Sequence, residues 1–157
     1  MNVPVTVPAG ADAAASAAGK RPLGFDEIVS RLAALELPEV DLVVGIASGG
    51  TVPAGLAAYR LGVPLTLLSI NYRDAANRPR RPRPELLSPA PLPTGRRILL
   101  VDDVSVSGAT LDLAKELLAG NEVTTLVLKG RGDLVAFPDV PSCVVWPWAA
   151  LARTAPG

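Results

Sequence analysis

The chain has 157 residues, enough for one domain that buries its own core, and 49% of them are hydrophobic against 19% charged, the balance of a globular protein. Fifteen Lys and Arg offset fifteen Asp and Glu, so no global field draws nucleic acid or an anionic membrane to it. Histidine is absent, which excludes Ser-His-Asp and Cys-His catalysis and His-ligated zinc, while the lone Cys143 excludes an intrachain disulfide and fits a reducing compartment.

Residues 1–22 are rich in Ala, Pro and Gly without a sustained period, and are expected to form a flexible N-terminal tail ahead of a single domain at 23–157. The start lacks the basic residues and continuous apolar core of a signal peptide, and no apolar run reaches the roughly 18 residues of a membrane span. A cytoplasmic protein is the expectation. Phe25, Ile28, Val29, Leu32 and Leu35 then share one helical face, with Asp26 and Glu27 in the first turn and Pro38 as the stop. A strand at 42–46 leads through Ala47-Ser48-Gly49-Gly50 into a helix at 51–61, where Pro53 is tolerated in the first turn and Gly62 ends it.

A second strand is predicted at 65–70. Periodicity is then lost over 72–95, a segment carrying Arg73, Arg78, Arg80, Arg81 and Arg83 among prolines. The strand at 98–101 and a helix with Leu111, Ala114, Leu117 and Leu118 apolar follow, closed by Gly120. A strand at 123–128 ends at Lys129, and a last one is predicted at 142–146, before Pro147-Trp148-Ala149. This alternation implies right-handed βαβ crossovers and a mainly parallel central sheet with helices on both faces.

The most informative stretch is 98–110. Ile98-Leu99-Leu100-Val101 has the composition of a strand covered on both faces. It runs into Asp102 and Asp103 and then into Val104-Ser105-Val106-Ser107-Gly108-Ala109-Thr110. Ligands of open α/β sheets bind at such carboxyl ends. Ser105, Ser107, Gly108 and Thr110 offer hydroxyls, amides and the positive end of a helix dipole to an anion. No lysine follows the turn, so it is not the Gly-x-x-x-x-Gly-Lys-Ser/Thr loop, and a phosphate monoester suits it better. The plain alternative is that Ser107 only caps the helix.

Adjacent side chains on a strand point to opposite faces, and like charges resist joint burial. Asp102 and Asp103 would be justified by the paired hydroxyls of a ribose or by a water-rich Mg²⁺, or else are two solvated acids at a strand end.

The stretch 98–110 resembles the signature of the type I phosphoribosyltransferase family: aliphatics, two acids, a short variable run, then small residues ending in Ser or Thr. Residues 45–54 are similar to the family's pyrophosphate loop, in which glycines let amides approach the diphosphate. The resemblance extends over about 25–148 and is closest to the bacterial and archaeal purine branch, which acts on xanthine, guanine or hypoxanthine. It implies the type I fold with a small C-terminal hood at 130–149 and a mobile loop at 72–95. The implied reaction transfers the 5-phosphoribosyl group of phosphoribosyl pyrophosphate to a nucleobase.

Residue by residue, the resemblance implies that Asp102, Asp103, Ser105, Val106, Ser107, Gly108, Ala109 and Thr110 hold the phosphoribosyl group. It implies that Ala47, Ser48, Gly49, Gly50 and Arg73 meet the pyrophosphate, with a cis peptide at Ala47-Ser48, and that Lys129, Val144 and Trp148 meet the base. Mg²⁺ is implied as cofactor, brought by the substrate and held by Asp102 and Asp103 through water. No general base is identified, and a homodimer or homotetramer is implied.

The chain departs from the purine pattern at Val106, where an acid faces the purine, and at Ser48, where Arg or Lys is frequent. It departs again at Cys143, where an aromatic residue stacks on the base, and at Ala149, where an acid is frequent. These changes support a second reading, a regulatory protein that binds phosphoribosyl pyrophosphate or nucleotide without turnover. The arginines at 78–83 lack interleaved aromatics beyond Tyr72, so no nucleic-acid partner is expected.

Overall fold

The computed structural model describes residues 19–71, 85–86, 91–141 and 143–151. In chain order these form β1 (Arg21–Pro22), α1 (Phe25–Ala34), β2 (Leu42–Ala47), α2 (Thr51–Leu61), β3 (Leu65–Asn71) and β4 (Glu85–Leu86). There follow β5 (Arg97–Ser105), α3 (Ala109–Leu117), β6 (Glu122–Gly130), β7 (Leu134–Val135), β8 (Val144–Val145) and a 3-10 turn at Pro147–Leu151.

The central sheet has the order β4-β3-β2-β5-β6-β7, parallel throughout except for the edge pair β3 and β4. Its middle strand, β5, reads as an unbroken apolar run because both of its faces are covered. Leu99 and Val101 pack with Ile28 and Leu32 of α1 and Ala54 and Ala57 of α2. Ile98 and Leu100 pack on the other side with Leu111 and Ala114 of α3. All four β5 residues are fully buried, and each contributes about 1.5–3 kcal/mol by leaving water.

The connection from β2 through α2 to β3 moves one way along the sheet, and that from β5 through α3 to β6 moves the other way. Right-handed crossovers in opposite directions put α2 and α3 on opposite faces. The carboxyl ends of β2 and β5 therefore flank the point where the winding reverses, the position where such sheets open a crevice.

Several expectations are corrected. The boundary drawn at residue 22 cuts through structure, because Arg21 and Pro22 pair in parallel with Val144 and Val145. The amide of Arg21 donates to the Cys143 carbonyl at 2.8 Å, so a segment read as tail completes the hood. The segment 72–95 contains an antiparallel edge strand, with Ile70 opposite Leu86, that alternation could not show in two residues. The last strand covers Val144–Val145 rather than 142–146. In α1, Ile28 and Leu32 are buried but Phe25 and Val29 stay 47% and 41% exposed, so the apolar stripe is wider than the face that α1 buries.

Candidate functional site

A cleft of about 680 Å³ opens at the carboxyl ends of β2, β5 and β6, within the usual size of a small-molecule site. Its floor is the end of β5. Asp102 is 7% exposed, and burial, reinforced by the neighbouring Asp103 charge, pushes its carboxyl up to about 8. Each acid is held by the main chain beside it: Asp102 Oδ1 accepts from the Asp103 amide at 2.8 Å, and Asp103 Oδ1 from the Val104 amide at 2.7 Å. A bound cation would favour the ionised form of Asp102 and oppose this upward shift.

The turn after β5 lines the cleft from Val104 through Thr110. Gly108 takes a left-handed conformation (φ 85°) that opens α3, and Ser107 Oγ accepts from the Ala109 amide at 3.3 Å. Ser107 thus satisfies the first amide of α3 from just before the Gly108 N-cap, while the Thr110 and Leu111 amides have no intrahelical partner and are hydrogen-bond donors open to an anion. Ser105 differs from its neighbours. It is 5% exposed, its Oγ is buried without a hydrogen-bond partner, and its carbonyl accepts from the Arg131 amide at 2.9 Å. Its hydroxyl is shut off from solvent, unlike that of exposed Ser107.

Across the cleft, Ala47, Ser48 and Gly49 form the turn after β2, and the Ala47-Ser48 peptide is cis. Gly49 is required by proximity: a Cβ there would lie 2.6 Å from Asp103 Oδ1, so the turn presses its backbone against the acids. Gly50 does not line the cleft. Its amide donates to the Ile46 carbonyl at 2.7 Å, and a Cβ would meet the Val101 carbonyl at 2.6 Å, so it packs beneath the turn instead of offering an amide to a ligand.

The wall beyond β5, where the resemblance puts the base, is formed by Lys129, Gly130, Arg131, Cys143, Val144 and Trp146 together with Lys20. Trp148 is not part of that wall. It stacks on Trp146, with ring centroids 5.5 Å apart and planes 10° from parallel, so the hood presents Trp146 and uses Trp148 as backing. Arg73 lies outside the described residues. Sequence reasoning missed Lys20, Gly130, Arg131 and Trp146. The spacing of two from Lys129 could have pointed to Arg131, but nothing near Lys20 announces that β1 will seat beside β8.

Among the described residues no group of three or more His, Cys, Asp or Glu could hold a metal alone. Two adjacent carboxyl groups do fit Mg²⁺, an ion that keeps waters and takes one or two carboxylates plus substrate phosphates. No helix among the described residues is long and apolar enough to cross a membrane.

Taken together, a hydroxyl-rich turn and a glycine-tight turn flank two acids where the winding of the sheet reverses. The sequence profile of the phosphoribosyl transferase domain matches residues 26–134, and the chain belongs to that family. It is similar to the orotate phosphoribosyltransferase of Sulfurisphaera tokodaii, with 31% identity over 98 residues that cover 60% of this chain and 46% of that protein. The chain thus matches about half the length of that curated relative.

Among solved structures, the purine phosphoribosyltransferase of Pyrococcus horikoshii shares its fold at a TM-score of 0.69, with 24% identity, 83% of this chain and 94% of that one covered. The Helicobacter pylori xanthine-guanine-hypoxanthine phosphoribosyltransferase does so at 0.66, with 14% identity and coverage of 82% and 93%. A Neisseria gonorrhoeae protein with bound ppGpp does so at 0.62, with 23% identity and coverage of 84% and 91%.

Proposed function

We propose that the chain transfers the 5-phosphoribosyl group of phosphoribosyl pyrophosphate to a nucleobase. A base nitrogen attacks C1, the bond from C1 to the diphosphate oxygen breaks, pyrophosphate leaves, and the displaced base proton passes to water. The observation that carries this reading is the placement of Asp102, Asp103 and the 104–110 turn opposite the 47–49 turn across one cleft. In it the 104–110 turn holds the 5-phosphate, Asp102 and Asp103 hold the ribose hydroxyls, and the 47–49 turn with Arg73 receives the diphosphate. Mg²⁺ bound with the diphosphate supplies charge neutralisation at the leaving oxygens, and Asp102 and Asp103 would hold it through water.

The transition state of such displacements is oxocarbenium-like, so the contribution of the chain is in-line placement and exclusion of water rather than proton transfer. The base is read as a 6-oxopurine, with Lys129 and Val144 at its edge and the hood at 130–149 above it. That choice competes with a pyrimidine, because the relatives divide between purine and orotate enzymes. A cytoplasmic location and a homodimer or homotetramer belong to the same reading.

The test is pyrophosphate release from phosphoribosyl pyrophosphate and Mg²⁺ with a panel of bases. Thr110→Val should weaken phosphoribosyl pyrophosphate binding by about 1.5–3 kcal/mol, the range for a hydrogen bond to a charged group. Unchanged affinity would move the phosphate elsewhere. One observation favours a binding protein without turnover: Val106, at the tip of the cradle, is apolar and 70% exposed. Tight nucleotide binding with no pyrophosphate release from any base would establish that alternative.

A further inference from the structure

Two cations on the hood side of the cleft are unaccounted for by any role assigned above. Lys20 reaches the cleft because β1 is clamped to the hood by the Arg21 amide on the Cys143 carbonyl at 2.8 Å and the Leu23 amide on the Val145 carbonyl at 3.1 Å. Arg131 reaches it because its own amide is fixed to the Ser105 carbonyl at 2.9 Å, past the turn at Gly130. Three other described arginines are ion-paired, Arg21 with Glu27, Arg31 with Asp139 and Arg97 with Asp41, while the Arg60 guanidinium donates to the Leu32 carbonyl away from the cleft. Among the described residues, neither Lys20 nor Arg131 forms an ion pair.

Their position relative to the reaction follows from stereochemistry. Displacement at C1 brings the base in on the side opposite the leaving diphosphate. The diphosphate turn follows β2, on one side of β5, while Lys129 at the end of β6 and Arg131 just after it lie on the other. The incoming base therefore arrives against the wall that carries Lys20 and Arg131, and both carboxylates lie behind the ribose on β5. Val106, which follows Ser105 in the turn and lines the cleft, offers no negative charge to repel an anion.

We propose that Lys20 and Arg131 form a cationic clamp that selects a nucleobase carrying negative charge, either a ring carboxylate or the deprotonated ring of a dioxopurine. The proposal rests on the phosphoribosyl transfer reading and adds the substrate class to it. Both cations are exposed, and two like charges lining one cleft favour an anionic base over its neutral isostere by electrostatic complementarity.

The test is calorimetric titration of the full chain at pH 8 with two pairs of nucleoside 5′-monophosphates, orotidine against uridine and xanthosine against inosine. Each pair shares the sugar and phosphate and differs in the charge of the base. At least one charged member should bind tenfold or more tighter than its neutral partner, and the pair that shows it identifies the source of the charge. K20M and R131M should each reduce that ratio below threefold. Equal affinities within both pairs, or a ratio untouched by both substitutions, overturn the clamp and leave phosphoribosyl binding standing. Failure of all four nucleotides and of phosphoribosyl pyrophosphate with Mg²⁺ to bind would overturn the site reading itself, and the clamp with it.

Discussion

The lining of the cleft that the proposed function gives to the sugar-phosphate comes from one unbroken stretch, residues 102–110, whereas the lining it gives to the base is assembled from Lys20, residues 129–131, Cys143, Val144 and Trp146. The first is dominated by backbone amides, small hydroxyls and two acids fixed by their own main chain. The second consists of long side chains and a stacked aromatic pair brought together by β1, β6 and β8. In the proposed function, a group common to every substrate is met by local geometry, and a group that varies is met by side chains that can be exchanged without disturbing it. Substitutions at the first end should lower activity with all bases alike, and those at the second should change the ranking among bases.

The largest expected effect is at the floor of the sugar end. Burial raises the folded-state pKa of Asp102 to about 8, against about 3.9 in an unfolded chain. Between those values the folded state binds a proton that the unfolded state has lost, so stability is greatest below about pH 4 and declines as pH rises through about 8. Asp102→Asn keeps an oxygen for the Asp103 amide and cannot ionise. The variant should gain on the wild type from pH 5 to pH 8 by on the order of a few kcal/mol in urea denaturation. A constant difference across that range would mean that the folded protein already holds Asp102 ionised. The same variant should lose transfer with every base, since a carboxylate at the ribose is common to all of them.

Gly130 joins the two ends. Its φ is 106°, and a Cβ would lie 2.0 Å from the Ser105 carbonyl oxygen, a backbone atom that has no side chain to rotate aside. Gly130→Ala must separate β5 from β6 where Arg131 bonds to Ser105. Positive-φ strain and overpacking together should cost about 2–5 kcal/mol. At about 2–4 °C per kcal/mol for a chain of this size, the melting temperature should fall by about 5–20 °C. Transfer should fall with it, because the cradle and the base wall share this contact. A variant that melts like the wild type would show that the two ends move independently.

The same contrast explains what the sequence disclosed. The strand, the acids and the cradle were legible because each is carried by neighbours in the chain: an apolar run covered on both faces, a pair of acids, and a turn of small residues opening a helix. The cis peptide at Ala47-Ser48 was foreseen from the motif that surrounds it. Lys20 was not, since its place depends on a two-residue strand pairing with partners at 144–145, and two residues display no period. Gly50 was misassigned for a related reason. Two adjacent glycines look alike in sequence, and only the fold reveals that one presses on Asp103 while the other closes the turn onto Ile46.

The smallest effect concerns the two tryptophans, where the resemblance gives the base to Trp148 and the cleft is lined by Trp146. Pro147-Trp148 matches the hood motif, yet Trp146 lines the cleft at 9% exposure and Trp148 lies behind it. Removing the backing ring with Trp148→Leu should cost about 0.5–1.5 kcal/mol of stacking beyond the lost burial, and should raise the KM for the base several-fold without changing the affinity for phosphoribosyl pyrophosphate. Because the chain has 2 tryptophans, single-ring variants report on each position. Trp148→Phe preserves a stacked aromatic and leaves Trp146 as the emitter, so nucleotide binding should shift or quench its fluorescence strongly. Trp146→Phe leaves Trp148 as the emitter, one ring removed from the ligand, and the response should be weak. The reverse pattern would return Trp148 to the base, and would require the hood to turn over its aromatic pair when nucleotide binds.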